Sequence, residues 1–189
     1  MSYNIRHIDN AGLQKRKYFF DANIWLKILK PPFNLSKKDE KYLDFFEKFK
    51  GNTNHPKIAI VSLILSEVIN RYLREVSFNK YLNSNNVKNP DKSDYKEIYR
   101  PSEQFRSDYI SICEDIKAYQ NYYFIINDGL GAEIKQKDLL TSPPVGLDFN
   151  DNYYYKLALK HQFIVVTDDK DFFVPDIEIL TCNSNLIET

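Results

Sequence analysis

Lys17-Tyr18-Phe19-Phe20-Asp21 is a short apolar run closed by an acid. Three aromatic residues in succession leave no polar alternate face, so the run fits a strand buried on both sides whose C-terminal end carries Asp21. Similar apolar runs recur at 57–61, 122–126, 163–166 and 177–180. Helical patterns separate them. Pro31-Pro32 stops a helical turn over 24–29. Ser36, followed three residues later by Asp39, opens a helix with Leu43, Phe46 and Phe49 at helical spacing, and Gly51 ends it. Ser62 is expected to cap a helix whose stripe is Leu65, Val68, Ile69, Tyr72, Leu73 and Val76. A further helix starts near Ser102 and runs through Tyr109, Ile112, Cys113 and Ile116; a short one is expected around 132–140; another begins near Asp151 and carries Leu157 and Ala158. The order β-α-α-β-α-α-β-α-α-β-α-β, with uniformly apolar strands, predicts an α/β fold: a central parallel sheet of four to five strands covered by helices on both faces.

At 189 residues the chain is expected to be a single domain, residues 1–189, with a helical and loop insertion around 77–120. Within it, 83–93 is polar and turn-forming, as a mobile surface loop would be. No internal repeat is visible. Net charge is zero, which excludes a globally basic nucleic-acid binder, yet residues 1–80 carry 15 basic and 8 acidic side chains while 81–189 carry 11 and 18. No apolar run approaches the roughly 20 residues that span a bilayer, and the N-terminus lacks a signal-peptide core, so a soluble cytoplasmic protein without membrane partners is expected. Cys113 and Cys182 make no disulfide framework, and His7, His55 and His161 match no zinc spacing.

Open parallel sheets place functional residues at the C-terminal ends of their strands, and here those ends are acidic. Asp21 closes the first run. Thr167-Asp168-Asp169-Lys170-Asp171-Phe172 follows the fourth, and Asp151 sits at a helix start beside Asp148. A cluster of aspartates without matching His or Cys suits a hard divalent cation such as Mg²⁺ or Mn²⁺.

These residues resemble the PIN-domain nucleases, which include the ribonuclease toxins of bacterial toxin-antitoxin pairs. Tyr18-Phe19-Phe20-Asp21-Ala22-Asn23-Ile24-Trp25-Leu26 is similar to the family's opening strand, Asp21 being its first metal-binding acid and Asn23 a polar companion. Ser62-Leu63-Ile64-Leu65-Ser66-Glu67-Val68-Ile69-Asn70-Arg71 resembles the segment of the second acid, which falls on Glu67. Gly146-Leu147-Asp148-Phe149-Asn150-Asp151 and Ile164-Val165-Val166-Thr167-Asp168-Asp169-Lys170-Asp171-Phe172 resemble the segments of the third and fourth acids, Asp151 and Asp169. The closing block is the most specific. The resemblance spans roughly 17–181, and it implies a three-layer α/β sandwich, Mg²⁺ or Mn²⁺ at the four acids, and cleavage of phosphodiester bonds, usually in RNA. An antitoxin protein and a second copy of the chain are partners it leaves open. Two departures stand out. Tyr153-Tyr154-Tyr155 replaces the family's small residues after the third acid, and the stretch 77–119 is longer than in compact members.

Each residue also has a plainer reading. A lone aspartate at a strand end or helix start is ordinarily a cap, and Asp151 fits that role. Glu67 lies nearly opposite the apolar stripe with Arg71 and Arg74 on its own face, so a solvated Glu-Arg pair is the alternative. Thr167 and Asn23 either hold an acid or simply end a strand and shape a turn. Asp148, Asp168 and Asp171 read as supporting or turn residues, whereas Arg71, Arg74 and Lys170 are weak candidates for phosphate contact. Two other functions compete with the nuclease. A haloacid-dehalogenase-like phosphatase would need a second aspartate two residues after the first, where this chain has Asn23. A non-catalytic module binding RNA or protein would have no use for clustered repulsion.

Overall fold

The computed structural model describes residues 2–50, 57–127, 134–140, 143–144 and 146–187. The strands are β1 (Asn4–His7), β2 (Tyr18–Phe20), β3 (Ile58–Ile60), β4 (Tyr123–Ile125), β5 (Ile164–Val166) and β6 (Glu178–Thr181). The α-helices are α1 (Ala22–Leu29), α2 (Lys37–Lys50), α3 (Ser62–Arg71), α4 (Phe78–Ser84), α5 (Glu103–Ala118), α6 (Gln136–Leu139), α7 (Phe149–His161) and α8 (Ser184–Ile187). The strands form one six-stranded sheet in the order β1-β6-β5-β2-β3-β4, every pair parallel.

β2 lies between β5 and β3, and Tyr18, Phe19 and Phe20 are each at most 1% exposed, which is why the run has no polar face. The side chains divide between two helical layers by strand alternation. Tyr18 and Phe20 meet Phe45 and Phe49 of α2, while Phe19 meets Tyr154 of α7 and Phe163. The molecule is thus a three-layer α/β sandwich. Chain order runs outward from β2 to β3 and β4, then returns to β5 on the opposite side, so β2 and β5 flank the point where the strand order reverses.

The sheet has six strands against the four to five expected. The additional one, β1, has Ile5 as its single aliphatic residue and is half-exposed at the sheet's edge, so no apolar run betrays it. Arg6 reaches the buried Glu178 of β6 there, an ion pair that periodicity cannot reveal. The helix expected between the last two strands is absent. Residues 167–177 form turns, in which Asp169 accepts the backbone N–H of Asp171 and the carbonyl of Asp171 accepts that of Phe173. Aspartate side chains compete for backbone donors in this way and disfavour helix.

Caps shift too. Val61, not Ser62, holds the N-cap position of α3 and offers no side-chain bond, whereas the box of Ser36 and Asp39 opens α2 as the sequence indicated. The expected start of the short helix at 132–133 and the end of α2 at Gly51 fall outside the described residues; α6 begins at Gln136. In the stretch 77–120, α3 continues through a π-helical segment (Tyr72–Ser77) into α4, residues 85–93 form turns, and a second π-helical segment (Tyr95–Tyr99) leads into α5. Tyr99 is fully buried there among Phe78, Tyr81, Tyr95 and Phe105, away from the main core.

Candidate active site

Asp21 leaves the end of β2 and caps α1, so its position is set by both elements. Three donors hold its carboxylate: the backbone N–H of Ala22 at 2.6 Å, the Asn23 amide at 2.6 Å and the Thr167 hydroxyl at 2.8 Å. Thr167 follows β5 and is fully buried, and its oxygen also accepts the backbone N–H of Asp169 at 3.0 Å. The carbonyl oxygen of Asn23 accepts the backbone N–H of Asp168 at 3.2 Å. Asn23 and Thr167 therefore lock the β2 and β5 exits together across the strand-order reversal. Both are holders of an acid rather than mere turn formers. With both ends of its amide engaged and no proton to transfer, Asn23 does not supply the general acid a phosphatase would need.

The other three acids approach from separate elements. Glu67 projects from the middle of α3, Asp151 from the first turn of α7, and Asp169 from the loop after β5. Their mutual influence is registered in the pKa values. Burial, reinforced by the charges of Glu67 and Asp169, pushes Asp21 up to about 6 against the opposing bonds from Thr167 and Ala22. Burial, with the charges of Asp148, Asp21 and Asp169 added, pushes Asp151 up to about 7. Carboxylates that raise one another's pKa lie within electrostatic reach of one another.

The plain readings fare differently. Asp148 is the N-cap of α7, its oxygen accepting the backbone N–H of Asp151 at 3.0 Å, so Asp151 is not the cap. Glu67 has no pair with Arg71, which binds Glu75 instead at 3.0 Å. Glu67 accepts the hydroxyl of Tyr154 at 3.0 Å and, at the long limit of 3.5 Å, the Asn150 amide. Tyr154 is 2% exposed and wedged against Phe19 and Tyr153. The tyrosine triplet that departs from the resemblance thus supplies a hydrogen bond to Glu67. Sequence reading missed Tyr154 and Asn150; their i, i+4 spacing on one helix was the available signal.

Asp168 faces away from the cluster. Lys27 at 3.3 Å and Lys38 neutralise it, and it accepts the Tyr42 hydroxyl at 3.1 Å. Asp171 and Lys170 are exposed in the turn beyond Asp169. Against the opposing effect of burial, the bond and charge of Glu75 raise the Arg71 pKa, with smaller contributions from the charges of Glu67 and Asp21. Arg74 is exposed and stands over the Tyr95 ring at 5.6 Å from its centre.

Among the described residues no three acids converge at ligating distance on one point, as expected of carboxylates that repel. The donor chemistry is nonetheless uniform, four oxygen acids with no nitrogen or sulfur ligand among them, and that is the set a hard divalent cation takes. No helix of the described residues is long and apolar enough to cross a membrane.

A family model described as PIN domain matches residues 18–177 of the chain. Among solved structures, the crystal structure of PAE2754 from Pyrobaculum aerophilum aligns with a TM-score of 0.45 at 13% identity, covering 97% of this chain and 95% of that one. No curated protein matches the sequence.

Proposed function

Because the chain belongs to the PIN domain family, we propose that it is a Mg²⁺- or Mn²⁺-dependent endoribonuclease whose acids are Asp21, Glu67, Asp151 and Asp169. The observation that carries this reading is the electrostatic coupling of Asp21 with Glu67, Asp169 and Asp151 at the reversal of strand order, where open α/β sheets hold their ligands. A divalent cation bound there would lower the pKa of an attacking water and offset negative charge on the phosphate oxygens.

The protein's own contribution is placement. Asp21 is kept in one rotamer by three donors, so its lone pairs are already oriented when substrate arrives. Tyr154 does the same for Glu67 from the neighbouring helix. Asp169 is tied to Asp21 through Thr167, whose hydroxyl bridges the two strands' exits. Asp148 caps α7 and so fixes the turn from which Asp151 projects. No histidine, serine or cysteine is required as nucleophile in this scheme, since the attacking group is water.

Purified protein incubated with structured and unstructured RNA in Mn²⁺ or Mg²⁺, beside an EDTA control, tests the reading. Internal cleavage that EDTA abolishes is expected, and Asp21→Asn should lower the rate by about 100-fold or more, the usual loss for one preorganised electrostatic contact. Equal cleavage by wild type and Asp21→Asn, with matching circular dichroism, would overturn the assignment. Release of phosphate from small phosphomonoesters without RNA cleavage would favour the phosphatase instead.

A further inference from the structure

Beyond the end of α3 a cleft of about 430 Å³ opens in the 77–120 stretch, lined by Arg74, Phe78, Lys92, Tyr95 and Lys96. Its composition is cations and aromatic rings only. Phe78 and Tyr95 stand edge to face at 5.4 Å, and Arg74 lies over the Tyr95 ring. Some lysines elsewhere are matched, Lys27 with Asp39 and Asp168, Lys30 with Asp115, Lys38 with Asp168, and Lys41 with Asp9, while others stand singly on the surface. Among the described residues, neither Lys92, Lys96 nor Arg74 has an acid partner. Of the acids near them in sequence, Asp91 and Asp94 accept the backbone N–H groups of Ser93 and Asp91, and Glu75 holds Arg71, while Glu97 is exposed beside Lys96.

The lining also includes a residue from the continuation of the helix that carries Glu67. Arg74 follows Glu67 by seven residues along α3 and its π-helical continuation, about two turns or roughly 10 Å of rise. Arg71, near enough to feel Glu67 and Asp21, lies between them. The widened π-helical turn is the kind of local irregularity that re-aims side chains at functional positions.

Unpaired cations beside aromatic rings are the chemistry of single-stranded nucleic-acid recognition without base readout, and here Phe78 and Tyr95 are half-buried, leaving part of each ring open to a base. We propose that this cleft is a subsite for a single-stranded segment of RNA lying beside the bond to be cut, its bases stacking on Tyr95 and Phe78 and its phosphates meeting Arg74, Lys92 and Lys96. The proposal rests on the RNA-directed reading of the acid cluster, extends it to a surface outside that cluster, and explains what the additional helices are for.

Fluorescence anisotropy of a short labelled single-stranded RNA, measured in EDTA so that nothing is cleaved, tests it directly. Lys92→Glu with Lys96→Glu, both exposed and outside the core, should weaken binding about tenfold or more and lower the slope of log affinity against log salt by about 1.4, the share of two phosphate contacts on a single strand. Tyr95→Leu, which keeps apolar bulk and removes the stacking face, should weaken binding with little change in slope. Affinity and slope unchanged in both variants would overturn the proposal, as would preference for duplex over single strand. Metal-dependent cleavage is followed on the same proteins. Cleavage together with binding indifferent to the cleft removes this inference and leaves the nuclease standing. Binding that depends on the cleft, without any cleavage, does the reverse.

Discussion

Tyr154 illustrates how one hydroxyl can govern a carboxylate. Burial and the nearby charge of Glu67 raise the Tyr154 pKa above its ordinary value, so the phenol stays protonated and donates to Glu67 throughout the physiological range. Removing it leaves Glu67 with the 3.5 Å contact from Asn150. Tyr154→Phe preserves the ring against Phe19 and Tyr153 and deletes the donor alone. We expect RNA cleavage to fall about 10-fold, with a matching rise in the Mn²⁺ concentration needed for half-maximal rate, the usual scale for losing a partner that orients a ligand. Glu67→Gln should make the second change nearly silent. A Tyr154→Phe enzyme with wild-type metal dependence would show that the contact is packing only.

At the scale of elements, α7 separates two roles that the sequence places three residues apart. Asp148 holds the N-cap and Asp151 rides in the first turn, so capping and the proposed metal-ligand role can be tested separately. Asp148→Ala should lower stability by about 1 kcal/mol, the cost of an N-cap, in a urea melt, with metal response retained. Asp151→Ala should cost no cap and lose the metal response. If Asp151→Ala loses the greater stability in EDTA, the capping assignment is wrong. The helix was legible from Leu157 and Ala158, but which aspartate capped it was not, because both satisfy the same preference for an oxygen before the first turn.

Across the whole molecule the acid cluster sets a pH dependence whose sign is fixed. Asp21 and Asp151 have folded-state pKa values of about 6 and about 7, above the ordinary aspartate value of 3.8. In that interval the folded protein binds more protons than the unfolded chain, so their contribution to stability is fully present below the unfolded pKa and is lost as pH rises through 6 to 7. Asp39 runs the other way: despite the opposing effect of burial, its bonds from Lys27 and Ser36 hold its pKa down, and its contribution is lost in acid. The comparison with Asp151→Asn isolates the cluster. In EDTA the variant should melt above wild type at pH 8, and the gap should close by pH 5, where Asp151 is already protonated. Excess Mn²⁺ should stabilise wild type by RT ln(1 + [L]/Kd), about 2.7 kcal/mol at a hundredfold excess over Kd, and leave Asp151→Asn little changed. A gap that widens toward acid would remove the proposed repulsion.

The sequence by itself determined the α/β class, the parallel sheet and the strand-end position of Asp21, because buried parallel strands must be apolar on both faces and so write themselves as runs such as Tyr18-Phe19-Phe20. It likewise marked four acids as candidates by their places in a family pattern. Only the tertiary structure decided how those acids are held. The bonds from Thr167 to Asp21 and from Tyr154 to Glu67 span 146 and 87 residues, and no local periodicity encodes a contact of that separation. The edge strand β1 was hidden for the same reason, since its place depends on β6, most of a chain length away. Tertiary structure also turned Asp168 toward Lys27 and Lys38, while the charge of its neighbour Asp169 acts on Asp21 and Asp151: only the surrounding helices determine what each residue of this loop meets.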